Sequence, residues 1–164
     1  MSKISPCLWF DGNAEEAANF YISVFKDGSI DRISRYPETK PDMVPFPVGS
    51  AMLVEFTLFG QSYQGLNGGP GFPFTNALSL SVSCKDQAEL DHYYDALTAD
   101  GGVPNVCGWV QDKYGLSWQL IPEAWDRMVA SGDKDAIARM MAELWNQSKL
   151  DVAALEAAFA GETV

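Results

Sequence analysis

Aromatic, amide and hydroxyl side chains recur along the extended stretches of this sequence, whereas groups that titrate near neutral pH are rare. Aromatic walls with a few hydrogen-bonding groups are typical of pockets that bind small organic molecules. The side chains expected to line such a pocket are Trp9, Phe10, Glu55, Tyr63, Gln64, Asn67, Ser79, Ser81, Trp109, Trp118 and Gln119. Because the set holds no convincing acid–base pair, it favours binding over catalysis. In the alternative interpretation the tryptophans fill a sheet core and the pocket is shallow.

The side chains best suited to catalysis are few. His92, the only histidine, falls off the apolar stripe of a predicted helix, so we expect it at the helix surface. Cys7 and Cys84 fall in predicted strands and are expected to be buried, reduced thiols. Cys107 could line a pocket, but a nucleophilic role would need a base nearby. The strand pattern around Glu55 does not decide whether that carboxylate faces the pocket or the solvent.

Composition limits the classes of partner. The chain has 164 residues, of which 47% are hydrophobic and 20% charged, as in ordinary soluble domains. Its net charge of −11 disfavours binding to nucleic acid or to an anionic membrane. The apolar runs are too short to cross a bilayer, and the beginning of the sequence does not read as a secretory signal. We therefore expect a single domain over residues 1–164, located in the cytoplasm.

One unit of the sequence recurs after 73 residues. The stretch FYISVFKDG at 20–28 is matched by YYDALTADG at 93–101. At the same offset Asn13 falls on Asp86, and a glutamate three residues after each completes the capping-box pattern of a helix start. Apolar residues at i, i+3, i+4 and i+7 follow in both copies. The pattern predicts two equivalent helices, each ended by a glycine.

Strands are predicted on both sides of each helix. Before the second helix, ALSLSVSC at 77–84 alternates apolar residues with serines, which is typical of a half-buried strand. The stretch ISPCLWF at 4–10 occupies the matching place before the first helix, where Cys7 falls on Leu80. About three further strands follow each helix, so each copy has the order strand, helix, three strands.

The domain organisation follows from these units. The first half is predicted over about residues 3–68 and the second over about 75–121, with the Gly- and Pro-rich segment 68–74 as the linker. A loop with four prolines spans 37–50 and suits either a mobile flap or an insertion tolerated at an edge. Helical spacing of apolar residues predicts C-terminal helices over about 122–160.

Neither half can close its own sheet, so the two are expected to pair. The duplicated βαβββ plan resembles the vicinal oxygen chelate superfamily, which includes glyoxalase I, extradiol dioxygenases and bleomycin-resistance proteins. The stretches PCLWFDGNAEEAANFY, LNGGPGFPF, CGWVQDKYGLSWQLIP and KLDVAALEAAFAG resemble its PhnB-like branch, whose members often carry the name 3-demethylubiquinone-9 3-methyltransferase. The resemblance implies an α+β fold in which duplicated βαβββ modules form a cupped eight-stranded mixed sheet with outer helices and a C-terminal helical extension.

The resemblance also implies a divalent metal in the cup, held by histidine, glutamate or glutamine. Metal-binding relatives read Gly-x-x-x-Glu on the last strand, where this chain reads GLSWQ and has Gln119. The other matching positions are Ile4 or Pro6, Gln64 or Asn67, and Ala77 or Ser79. Neutral amides leave the charge of a divalent ion uncompensated. We therefore expect neither a metal nor a cofactor.

These observations favour a metal-free small-molecule-binding protein of this superfamily whose ligand is unknown. One alternative is a metal-dependent lyase, isomerase or dioxygenase-like enzyme with a non-standard ligand set that includes Glu55 and Gln119. Another is a structural or regulatory dimerisation module. The resemblance implies a homodimer. Methyl transfer from S-adenosylmethionine is doubted, because the glycines of LNGGPG lead into a strand and not into a helix.

Overall fold

The computed structural model describes residues 3–162, and the chain divides between Phe74 and Thr75 into two compact units. The division falls at the end of the segment that the sequence predicts as a linker. Each unit contains a four-stranded mixed sheet. None of the helices within residues 3–162 combines the length and the hydropathy that spanning a bilayer requires.

The first unit has the predicted order of strand, helix and three strands. Its elements are β1 (Cys7–Phe10), α1 (Ala14–Phe25), β2 (Gly28–Arg35), β3 (Ala51–Leu58) and β4 (Gln61–Asn67). The sheet order is β1-β4-β3-β2, with β1 parallel to β4 and the other neighbours antiparallel. Helix α1 packs on one face of the sheet through the buried side chains of Ala17, Tyr21 and Val24.

The second unit repeats this connectivity. Its elements are β5 (Ser79–Cys84), α2 (Gln87–Thr98), β6 (Val103–Pro104), β7 (Trp109–Gln111) and β8 (Ser117–Pro122), followed by α3 (Glu123–Ala130), α4 (Lys134–Leu144) and α5 (Val152–Ala160). The sheet order is β5-β8-β7-β6, and β5 is parallel to β8 as β1 is to β4. The shared topology confirms the predicted α+β fold of duplicated βαβββ modules. The joining of the two sheets into one cup stays a prediction.

The strands and the helices of the two units repeat at different offsets. Helix α1 begins at Ala14 and α2 at Gln87, 73 residues later. The buried strand residues Leu8 and Phe10 correspond instead to Val82 and Cys84, 74 residues later. Three residues join β1 to α1, whereas two join β5 to α2. The strand–helix connections differ by one residue, and the helices alone keep the offset found in the sequence.

The predicted strand alignment was therefore wrong by one residue. A shift of one position moves a side chain to the opposite face of a sheet. Cys7 corresponds to Ser81 and not to Leu80, and it is exposed where a buried thiol was expected. Cys84 is buried, as predicted. Leu78 precedes β5 and is 52% exposed.

Glycine does not end the first helix. Helix α1 stops at Phe25, and Lys26 adopts the left-handed conformation with φ 58°. Gly28 opens β2, where a Cβ atom would lie 2.4 Å from the carbonyl oxygen of Thr57. The glycine is needed there because β2 approaches β3 closely, which is a different requirement from the predicted helix stop.

The first turn of α1 is capped by a residue far along the chain. The side chain of Asn13 makes no cap hydrogen bond. Instead, Oδ1 of Asn67 accepts a hydrogen bond from the Ala14 N–H at 2.9 Å, and Nδ2 of Asn67 donates to the carbonyl oxygen of Ala51 at 2.9 Å. The Tyr36 hydroxyl donates to the carbonyl oxygen of Asn67. Asn67 is 2% exposed, so β4 holds the helix start, β3 and the end of β2 together through one side chain and its backbone.

Helix α2, in contrast, carries its predicted cap. The Asp86 side chain accepts a hydrogen bond from the Glu89 N–H at 2.9 Å. The Glu89 carboxylate accepts one in turn from the N–H of Lys85, one residue before the cap. This reciprocal arrangement satisfies two donors that the helix itself cannot pair.

The proline-rich loop 37–50 forms no helix or strand but is held to the first unit. The Phe46 ring stacks on Tyr36 with centroids 5.7 Å apart and an interplanar angle of 23°. A Cβ atom at Gly12 would lie 3.0 Å from the same Phe46 ring. The loop thus packs over the turn between β1 and α1.

The Gln87 amide joins α2 to the segment before α5, beside ion pairs of Lys149 with Asp91 and Asp95. Nε2 of Gln87 donates to the carbonyl oxygen of Leu150 at 3.0 Å, and Oε1 of Gln87 accepts from the Val152 N–H at 2.8 Å. Leu150 and Leu155 are buried beside this contact. On α3, Met128 is buried, whereas Val129 is 41% exposed.

We expect Asn67→Ala to lower the free energy of unfolding by about 2 kcal/mol, because it leaves a buried N–H and a buried carbonyl group without partners. Asn13→Ala is the matched control and should cost less than about 0.5 kcal/mol, as for a typical surface change. Urea denaturation of the two variants measures both values. A larger loss for the Asn13 variant would contradict the assignment of the cap.

Burial, together with the charges of Glu89 and Asp86, raises the pKa of the Cys84 thiol from 9.0 to about 12. At pH 8 the native thiol is then almost wholly protonated and should react with a thiol reagent only when the protein unfolds. In the unfolded chain the thiol ionises near its ordinary pKa, so this group makes the folded state lose stability as pH rises from about 9 to 12. Stopped-flow labelling of the wild type and Cys84→Ser tests this, since the unfolding-limited phase should vanish in the variant.

Candidate functional site

Each sheet has a far face, which we define as the face turned away from its helix. In the first unit the far face carries a row of four side chains in register across the sheet. Cys7 on β1 pairs with Gln64 on β4, Gln64 pairs with Glu55 on β3, and Glu55 pairs with Arg32 on β2. Glu55 therefore lies on the same face as Gln64, which the sequence alone did not decide.

An ion pair links the last two members of this row. Nε of Arg32 donates a hydrogen bond to Oε2 of Glu55. The Glu55 side chain is 12% exposed, whereas the Arg32 side chain is 62% exposed. The hydrogen bond to Glu55 and its negative charge raise the pKa of Arg32. Sequence analysis missed Arg32, although it lies in the predicted strand IDRISRY.

A β-bulge in β2 creates this pairing. Ile30 is opposite Phe56, and the next residue of β3, Glu55, is opposite Arg32 and not Asp31. If the register continued without a bulge, Asp31 would be opposite Glu55, and two carboxylates would face each other across the strands. A bulge re-aims side chains in this way at the cost of one unpaired position. Here it replaces a repulsive pair by an attractive one.

A cavity of about 430 Å³ lies on the far face at this row. It is lined by Ser5, Asp31, Arg32, Glu55, Thr57, Ser62, Tyr63 and Gln64. The Asp31 carboxylate accepts hydrogen bonds from the hydroxyl groups of Ser29 at 2.9 Å and Thr57 at 2.7 Å. Within residues 3–162 the Gln64 side-chain amide makes no hydrogen bond, so its donors and its acceptor are available to a ligand.

An apolar row lies beside the charged one. Trp9 is in register with Leu66, and Leu66 with Leu53, two residues along each strand from the row of Gln64 and Glu55. The Trp9 ring is fixed by a hydrogen bond from Nε1 to the carbonyl oxygen of Gly69 at 2.7 Å and by edge-on contact with Phe72 at 4.9 Å. The far face of the first sheet thus changes from charged to apolar within two residues along each strand.

Three of the predicted ligand-binding residues lie on the helix face of the first sheet. Phe10 is 3% exposed and meets Phe74 edge-on at 5.3 Å. Tyr63 touches the edge of the cavity, but its ring stacks on Phe56 at 5.4 Å, and burial raises the pKa of its hydroxyl. Asn67 is occupied in the cap of α1. The sequence-based grouping of Phe10 and Asn67 with the pocket residues needs correction, because adjacent strand residues face opposite ways.

The second unit repeats the position of the far-face glutamine. Gln119 is in register with Ser81 on β5 and with Trp109 on β7. Nε2 of Gln119 donates to the Ser79 hydroxyl oxygen at 2.7 Å. Ser79, Ser81, Trp109 and Gln119 therefore share one face. Gln64 and Gln119 occupy equivalent places in the two sheets, and Trp109 stands where the first unit has Glu55.

Trp118 does not belong with these residues. It is 2% exposed, and its Nε1 donates to Oδ2 of the buried Asp112 at 2.8 Å. Asp112 also accepts from the N–H groups of Tyr114 and Leu116, which closes the turn between β7 and β8. Because Trp118 adjoins Gln119 on β8, its side chain must point to the helix face. It is a core residue and not a member of the far-face set.

The donor groups do not suit the metal that the superfamily implies. No three His, Cys, Asp or Glu side chains in the described chain come together in a way that could hold an ion. Ile4 and Pro6, the candidate ligand positions of the first strand, precede β1, in which Cys7 is the residue in register with Gln64, and the carboxylate of Glu55 is paired with Arg32. The far face of the second unit offers amide and hydroxyl oxygens, which leave a divalent charge uncompensated. His92 is exposed on α2, as predicted.

Residues 2–121 match the family described as 3-demethylubiquinone-9 3-methyltransferase. The chain belongs to this family. The PhnB-like resemblance stated from the sequence motifs is thereby confirmed. Helices α3, α4 and α5 begin after the matched region ends.

Solved structures agree with this membership. A putative 3-demethylubiquinone-9 3-methyltransferase, PhnB protein, from Bacillus cereus is 38% identical over 74% of this chain and 99% of its own, with a TM-score of 0.65. A protein from Pseudomonas aeruginosa shares the fold at 20% identity, with 75% and 98% of the two chains covered and a TM-score of 0.59. No curated protein matches the chain.

We expect Trp118→Phe to lower the free energy of unfolding by about 1–3 kcal/mol, because it removes the indole donor from a buried carboxylate. Trp109→Phe is the matched control on the far face and should cost less than about 1 kcal/mol. Denaturation curves followed by circular dichroism give both values. Equal losses would show that Trp118 has no special place in the core.

Proposed function

We propose that this protein binds a small amphipathic molecule on the far face of the first sheet. The observation that carries the proposal is the junction between the charged row and the apolar row. Binding sites for small organic molecules combine apolar and aromatic walls with a few fixed polar groups that orient the ligand. The far face of the first sheet has both the polar groups and the apolar wall, two residues apart along each strand.

The polar end of the ligand would lie in the cavity at Gln64, Glu55 and Arg32. The Gln64 amide can both donate and accept hydrogen bonds. Among the three guanidinium nitrogens of Arg32, Nε alone has a hydrogen-bond partner within the described residues. Both terminal nitrogens can therefore donate to ligand oxygens. The apolar end would extend along Leu66 and Trp9. A flat hydrophobic body suits this surface, because the Trp9 ring is already fixed by Gly69 and Phe72 and loses little freedom on binding.

The proposed binding is metal-free, and its support is the chemistry of the donor groups described above. We also propose a homodimer and a cytoplasmic location, on the family resemblance and the reduced cysteines. The same sites in the second unit are more fully engaged internally, because Gln119 bonds Ser79 and Ser117 bonds Asn76. The ligand is therefore assigned to the first unit.

Methyl transfer is not part of the proposal. A nucleotide cofactor needs a glycine-rich turn that leads from a strand into a helix and leaves room beside the backbone. Gly68 has no such room, because a Cβ atom there would lie 2.1 Å from the Trp9 ring. Gly12 is the only glycine between β1 and α1, and Phe46 packs against it.

A thermal-shift screen of amphipathic aromatic compounds should find at least one that stabilises the protein saturably. Gln64→Ala should weaken binding of that compound about five- to tenfold, the effect of losing about one hydrogen bond. Gln61→Ala, on the same strand but exposed at the hairpin, is the matched control and should leave the dissociation constant unchanged. Calorimetric titration of the three proteins measures it.

A screen without saturable stabilisation would favour the structural or regulatory module instead. Equal affinities for the wild type and the Gln64 variant would place the ligand elsewhere. Loss of binding after treatment with a chelator would favour the metal-dependent enzyme.

A further inference from the structure

We infer that Arg32 supplies the positive charge of the first far-face site in place of a metal ion. In this arrangement a side chain of the protein, held by Glu55, has the electrostatic role that a bound divalent ion has in the superfamily. The inference concerns the site's own charge and does not depend on which small molecule the site binds.

Arg32 and Glu55 lie in the same cross-strand row as Gln64. Gln64 stands at the position equivalent to Gln119, which the family resemblance matches to a metal ligand. Glu55 is the direct neighbour of Gln64 across β3 and β4, and Arg32 is the direct neighbour of Glu55 across β2 and β3. The guanidinium therefore lies in the same row as the two side chains whose oxygens a metal would use.

The Glu55 side chain is 12% exposed, and a carboxylate with so little access to water requires a compensating charge. Arg32 provides it through a charge-assisted hydrogen bond. A divalent cation placed on Glu55 would be repelled by a guanidinium at contact distance from the same carboxylate. It would also find few further anionic ligands, because Asp31 is the only other carboxylate among the described residues that line the cavity, and it already accepts two hydrogen bonds.

The two sheets differ at the position of Glu55 and at the strand beside it. The second sheet has Trp109 at the place of Glu55, and β6 ends its pairing at Val103 and Pro104, opposite Gln111 and Val110. No residue of β6 is in register with Trp109. The first sheet thus has a carboxylate with a cation in register beside it, whereas the second has Trp109, whose carbonyl oxygen accepts a hydrogen bond from the N–H of the neutral residue Asn105 at 2.8 Å. This is the pattern expected if the two charges serve one site together.

Manganese titration of the full chain tests the inference. The wild type should bind Mn²⁺ weakly, and Arg32→Gln should bind it about tenfold more tightly or better, because Glu55 becomes available. Arg35→Gln is the matched control, since it removes the same charge from the same strand, where Arg35 faces Glu15 at 3.7 Å on the surface. It should change the affinity less than about twofold. Arg32→Lys should behave as the wild type.

Electron paramagnetic resonance of free Mn²⁺ gives the affinities, and circular dichroism verifies the fold of each variant. The double variant Arg32→Gln with Glu55→Gln should lose the gain. A gain no larger than that of the Arg35 variant, or one that persists without Glu55, would overturn the inference. If Arg32→Gln does not fold, the comparison of Glu55→Gln with the wild type provides an independent readout. The two proteins should bind Mn²⁺ with the same weak affinity. A clear loss of affinity in Glu55→Gln would show that Glu55 already binds metal in the wild type, which would overturn the inference.

Discussion

The cross-strand pair of Arg32 and Glu55 is the interaction on which the chemistry of the first unit depends. A largely buried carboxylate such as that of Glu55 is stable only beside a positive charge or a set of hydrogen-bond donors. The sheet provides the positive charge through one extra residue in β2, which moves Asp31 out of register and brings Arg32 opposite Glu55. The cavity, the Gln64 amide and the adjoining apolar row all lie beside that pair.

Strand alternation then decides which neighbours can act with it. Trp9 and Gln64 share a face with Glu55, while Phe10 and Tyr63, one residue away along their strands, pack toward α1. The same rule separates Gln119 from Trp118. A pocket list drawn from the sequence tends to join adjacent aromatic and polar residues, because both kinds are suitable pocket linings. In an extended strand only one of two adjacent residues can contribute its side chain.

Much of the fold was predictable because its signals are local. The capping residue Asp86, the apolar stripe of α1 and the serine alternation of β5 are written within a few residues each, and the structure contains all three elements. The features that sequence analysis missed depend on distant partners. Asn13 has a good capping side chain, yet the cap comes from Asn67 on β4, because the sheet brings that amide to the helix start. Arg32 could have been found only by knowing the bulge, which no local pattern in IDRISRY announces. The one-residue difference between the two strand–helix connections likewise becomes visible only when burial is compared.

The contact made by Gln87 has a consequence for how this family varies in length. The Bacillus cereus structure aligns over 99% of its own chain with 74% of this chain, and the family match ends at residue 121, before α3 begins. In this chain both polar ends of the Gln87 amide are engaged by the backbone at Leu150 and Val152. A homologue without helices α3, α4 and α5 would lack these two hydrogen bonds at the beginning of its second helix. In this chain the C-terminal segment therefore binds the beginning of α2 through backbone groups that belong to neither sheet.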